Sequence, residues 1–207
     1  MDKIPVLDCI AKDHYDLPPQ VREKILSLIA ESGDPTLDDG ISYISKYDFD
    51  LSFDFDREWV EVIKPYLFKA LTKTMDELGY LDFSVDQIWY QQYEKGSNHV
   101  WHIHGRHFTG VYYLEFPSGS APTQVVSPYT MQSMTLDCKE GDLIVFPSHW
   151  THRGMKNTSD RKTIISYNIN IHRCIPVSYT HLRAHETRGN LVCRLMLEIK
   201  NGVGGGG

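Results

Sequence analysis

Hydrophobic spacing divides this chain near Phe83. Before that point apolar residues recur every three or four positions, and after it they come in short runs separated by turn residues. In the first part, VREKILSLIAES places Val21, Ile25, Leu28 and Ile29 on one helical face. Pro18 and Pro19 stand at its start, where the missing N–H of proline costs nothing. A second helix is expected from a cap at Asp54 or Asp56 to about Leu78, with Trp59, Ile63, Leu67 and Leu71 on its buried face. Gly79 should end it, and Pro65 should kink or split it. The piece IPVLDCI near the N-terminus is a candidate edge strand, 32–40 reads as a loop, and 41–53 is irregular and aromatic.

From Phe83 on, VDQIWYQQYE, HVWHIH, FTGVYYLEF, TQVVS, SMTLD, DLIVFP and KTIISYNINI have the β-branched and aromatic content of strands. Seven closely spaced strands after two helices predict an α+β domain whose sheet part is a sandwich or a barrel. With 207 residues and no internal repeat or linker before residue 176, one domain over 1–175 is expected.

Composition narrows the setting. No apolar run approaches the length of a membrane span, and the N-terminal MDKIPVLDCIAKDHYD lacks the basic start and apolar stretch of a signal peptide. A cytoplasmic protein without membrane partners is therefore expected. The formal charge of −6 argues against a nucleic-acid partner. Cysteines at 9, 138, 174 and 193 show no CxxC spacing and read as free thiols. The final PVSYTHLRAHETRGNLVCRLMLEIKNGVGGGG, 176–207, has neither strand alternation nor a capped helix. It resembles a translated sequencing adapter, is expected to be a non-native, disordered tail, and is set aside from the fold.

The candidate chemistry lies in histidines. NHVWHIHGRHFTGVYYLEFP carries them at 99, 102, 104 and 107, and FPSHWTHRG carries them at 149 and 152. His102 and His104 are two apart, so on a strand both would face one side and could share a metal. His149 or His152 could supply a third imidazole. The basic pair Arg161–Lys162 opens the otherwise apolar TIISYNINI, where a charge is costly unless it meets an anion.

In order and spacing, HxH, GVYYLEFP, EGDLIVFPSHWTHR and RKTIISYNI resemble the Fe(II)/2-oxoglutarate-dependent oxygenases, prolyl-hydroxylase-like and phage or marine-bacterial members above all, over roughly Asp86 to Ile171. The resemblance implies a double-stranded β-helix, or jelly roll, with two N-terminal helices packed on one sheet. It implies Fe(II) held by His102, His104 and His152. It also implies 2-oxoglutarate paired with Lys162, or else Arg161, and touched by Tyr93 and Tyr113. The reaction implied is hydroxylation of a small-molecule or peptidyl substrate by O2, with release of succinate and CO2. One departure stands out: the family motif is HxD or HxE, whereas here the second position is His104. His104 is expected to be a ligand itself, because HIH alternation turns it inward with His102; the other readings are a position that no protein group ligates and a metal other than iron. The alternatives are a cupin-like metal-dependent dioxygenase or isomerase without 2-oxoglutarate, and a non-catalytic β-sandwich binding protein.

Overall fold

The computed structural model describes residues 10–174. The segment 176–207 and most of IPVLDCI lie outside these residues. The edge strand that is seen, β1 (Ala11–His14), begins just after that piece.

The first helix, α1 (Pro19–Glu31), buries Ile25 and Ile29, with Val21 and Leu28 partly covered. The second, α2 (Glu58–Glu77), departs from expectation twice. Its N-cap position is Arg57, and neither Asp54 nor Asp56 caps it. It is also not split at Pro65, which lies inside it. Proline removes one intrahelical hydrogen bond, but the stripe Trp59, Val60, Ile63, Leu67, Ala70, Leu71 and Met75 is buried along its whole length and holds the helix together. Gly79 closes the helix with φ +84°, a conformation that suits glycine.

Between the helices lie β2 (Leu37–Asp38), β3 (Tyr43–Ile44) and β4 (Lys46–Tyr47). Then follow β5 (Tyr80–Glu94), β6 (His99–His102), β7 (Phe108–Glu115), β8 (Thr123–Val126), β9 (Ser133–Thr135), β10 (Asp142–Pro147), β11 (His152–Gly154) and β12 (Arg161–Cys174). β11 is too short to show as a periodic run, and the sequence pattern misses it. The strands form a six-stranded sheet in the order β1-β10-β7-β12-β5-β4 and a four-stranded sheet in the order β6-β11-β8-β9. All pairings within them are antiparallel.

Alternation assigns each side chain of the larger sheet to one of two cores. Ile88, Tyr90, Tyr112, Leu114, Leu143, Val145, Ile165, Tyr167 and Ile169 pack against the helices. Tyr93, Val111, Tyr113, Ile144, Phe146 and Ile164 point the other way, into the space between the sheets. Central strands covered on both faces explain why GVYYL and DLIVF are continuously apolar. The architecture is a jelly-roll sandwich with both helices on the outer face of its larger sheet. Among the described residues no helix is long and apolar enough to cross a membrane.

Candidate metal and cosubstrate site

The smaller sheet sets two of the histidines. His102 closes β6 and His152 opens β11, and these residues are direct cross-strand partners. His104 reaches them by a different route from simple strand alternation. β6 ends at His102, and the departing chain is tied back by the His104 amide, which donates to the Ser148 carbonyl at 3.0 Å. One potential ligand atom from each of His102, His104 and His152 lies within 4.8 Å of the others. His149, the other candidate for the third position, is exposed and is not part of this cluster. His99 stacks on His102 with ring centroids 3.9 Å apart, adding a fourth imidazole to the wall.

The cluster is electrically prepared for a cation. Burial pushes His152 down to about 2, His99 to about 3 and His104 to about 4, with the neighbouring His102 adding repulsion in each case. Burial lowers His102 as well. Neutral imidazole, the form that ligates, is thus the resting form. Two rings are also oriented for it. His102 donates Nδ1–H to the Val100 carbonyl at 2.7 Å, and His152 does the same to the Trp150 carbonyl at 3.0 Å, leaving each Nε2 free. This donor set fits a first-row divalent metal.

These histidines line a pocket between the sheets. Its floor is the inner face of β5 and β12, where Tyr93 pairs with Lys162, Gln91 with Ile164, Trp89 with Ser166 and Gln87 with Asn168. Lys162 is only 2 % exposed. Its ammonium donates to the Ala121 carbonyl at 2.7 Å and lies 4.2 Å from the centre of the Tyr93 ring. No carboxylate pairs with it among the described residues, and burial pulls it down to about 7. A buried ammonium with this wall around it fits an incoming carboxylate.

The other expected cosubstrate contacts differ in placement. Tyr93 lines the pocket and donates its hydroxyl to Gln91 at 3.0 Å. Arg161, one residue before Lys162, points to the opposite face, where its 44 % exposed side chain forms a two-point ion pair with Glu115 at 2.8 and 2.9 Å. Strand alternation alone separates the two cations. The Tyr113 hydroxyl is held by Thr123 Oγ1 at 2.8 Å, and it is Thr123 that reaches the pocket wall. Sequence reasoning missed Trp89, Gln91, Ser166 and Asn168. The available signal was the polar member of each alternation in IWYQQY and IISYNI, polar residues on strands whose other face is core.

A family model described as "Putative 2OG-Fe(II) oxygenase" matches residues 87–170, which contain all three clustered histidines and Lys162. No curated protein matches the sequence. Among solved structures, the viral collagen prolyl hydroxylase of Paramecium Bursaria Chlorella virus-1, in complex with 2OG, superposes with a TM-score of 0.54. It is 15 % identical, over 79 % of this chain and 96 % of that one. A Trichoplax adhaerens prolyl hydroxylase in complex with a hypoxia inducible factor peptide gives a TM-score of 0.56 at 16 % identity, over 78 % and 83 % of the two chains. The α-ketoglutarate-dependent epimerase SnoN of nogalamycin biosynthesis gives 0.60 at 11 % identity, over 78 % and 77 %. At these identities the likeness is one of fold. The likeness to the 2OG-Fe(II) oxygenases rests on sequence over residues 87–170 and on fold across the wider chain. The chain is accordingly an oxidoreductase whose cofactors are Fe(II) and 2-oxoglutarate.

Proposed function

We propose that this chain hydroxylates a C–H bond of a small-molecule or peptidyl substrate, consuming O2 and 2-oxoglutarate and releasing succinate and CO2. In this reading His102, His104 and His152 hold the iron. When bound, Fe(II) supplies the O2 activation that couples decarboxylation of the cosubstrate to oxidation of the substrate. Lys162 pairs with the carboxylate of 2-oxoglutarate remote from the metal, and the Tyr93 hydroxyl offers that carboxylate a second donor. Arg161 is kept out by its ion pair with Glu115. The apolar wall of Val111 and Ile164 excludes water between these poles. The prolyl hydroxylases named above act as examples of peptidyl chemistry on this fold, whereas SnoN is named as an epimerase, so the fold leaves the reaction open. A cytoplasmic setting belongs to the same reading.

The observation that carries the proposal is Lys162, a buried ammonium without a carboxylate partner among the described residues, in a pocket that also receives three neutral imidazoles. The test is anaerobic loading with Fe(II), addition of 2-oxoglutarate, and then air. A visible charge-transfer band followed by succinate release is expected. Iron binding with no band on adding 2-oxoglutarate would overturn the cosubstrate assignment in favour of a cupin-like site. Failure to bind any metal would overturn the histidine assignment and leave a binding module.

A further inference from the structure

His102 and His152 each have a backbone carbonyl to fix their tautomer. His104 has none. Its Nδ1 lies 3.5 Å from the side-chain amide of Asn168, a residue only 2 % exposed. That amide continues into a buried row. Asn168 Nδ2 donates to Gln87 Oε1 at 2.9 Å, and Gln87 Nε2 donates to Ser52 Oγ at 3.1 Å. In this sense Asn168 turns an N–H toward His104, and its own Oδ1 has no partner among the described residues. An N–H facing Nδ1 suits a lone pair there, which puts the imidazole proton on Nε2 and disables that atom as a ligand.

The row can run the other way. Amide groups invert by half a turn, and a serine hydroxyl either donates or accepts. In the reversed sense Ser52 O–H donates to Gln87 Oε1, and Gln87 Nε2–H donates to Asn168 Oδ1. The same Oδ1 accepts Nδ1–H of His104, and the amide nitrogen takes over the unpartnered position. His104 Nε2 then carries the free lone pair, matching His102 and His152.

We infer that Asn168 is the positioning residue for the third ligand: its carbonyl oxygen accepts from His104 Nδ1 and, through Gln87 and Ser52, fixes the metal-ready tautomer. This rests on the reading of His104 as a ligand. It also gives the histidine that stands in place of the family's carboxylate an acceptor of its own, which raises imidazole basicity.

The test uses the full chain with Co(II) alone as probe. Two readouts are needed: affinity from the cobalt absorption bands, and the solvent-exchangeable, paramagnetically shifted N–H resonances of ligated imidazoles. The parent protein should show three such resonances and His104→Ala two, with weaker binding. Asn168→Leu should weaken Co(II) binding about 10- to 100-fold and lose the third resonance. Asn168→Asp, an acceptor toward both His104 and Gln87, should keep three resonances and bind within threefold of the parent or more tightly. Equal weakening in Leu and Asp variants would mean a packing role and overturn the inference. So would an Asn168→Leu variant with parent affinity and three resonances while His104→Ala is impaired. Parent-like binding and three resonances in His104→Ala would instead remove His104 as a ligand, and the inference with it.

Discussion

Lys162→Met is the most informative single change, because it predicts effects of opposite sign on stability and on binding. In the ligand-free protein the ammonium has one hydrogen bond, to the Ala121 carbonyl, and one aromatic face, that of Tyr93. Burial already pulls its pKa down to about 7, a sign that charge is disfavoured there. Methionine fills similar space without a charge, so the free protein should be as stable as the parent or more so, judged by thermal unfolding. Binding should respond in the other direction. Removing one partner from a buried charge pair costs about 3–5 kcal/mol, so the Kd for 2-oxoglutarate should rise by about a hundredfold or more. The assay is anaerobic calorimetric titration of the Mn(II)-loaded protein. A pH signature comes with it. Free Lys162 is neutral above about pH 7, so binding there requires proton uptake. Affinity should weaken by up to about tenfold per pH unit from 7 upward in the parent, and this slope should vanish in Lys162→Met. A variant that binds within threefold of the parent, or a parent without the slope, would refute the assignment of Lys162 to the cosubstrate.

Three further outcomes follow from the same geometry. Arg161→Ala, which breaks only an exposed pair with Glu115, should change stability by about 0–1 kcal/mol and leave the Kd for 2-oxoglutarate unchanged in the same titration. The metal-free protein should lose stability as pH falls below about 6.5, since the unfolded chain takes up protons on histidines that the native state keeps neutral. The slope should approach about 1.4 kcal/mol per pH unit per histidine, measured by denaturant titration between pH 7 and 5, and mutation of His152 should reduce it. Gly110→Ala should destabilise by about 1–3 kcal/mol or more, because a Cβ there would overlap the Ile144 carbonyl and the Tyr167 ring. Its melting temperature would show this, and a parent-like value would mean that Tyr167 can move aside.

The sequence by itself determined the elements and the ingredients of the site. Helical spacing up to Gly79 and strand-length runs after Phe83 defined an α+β chain, because local periodicity follows directly from which face is buried. His102, His104, His152 and Lys162 were legible as residue types that need a partner. Tertiary structure decided what they do together. Only cross-strand pairing sets His152 against His102, and only the tether to Ser148 brings His104 back to them after its strand has ended. Strand phase sends Lys162 inward and Arg161 outward, a choice that two adjacent cations in a sequence do not reveal. The continuation of α2 past Pro65 was decided by packing along its buried stripe, which outweighed the hydrogen bond that proline removes. The row from His104 through Asn168 and Gln87 to Ser52 joins residues far apart in the chain. Hydrogen bonds of this kind depend on atoms brought within about 3 Å by the fold, and no spacing along a sequence encodes that distance.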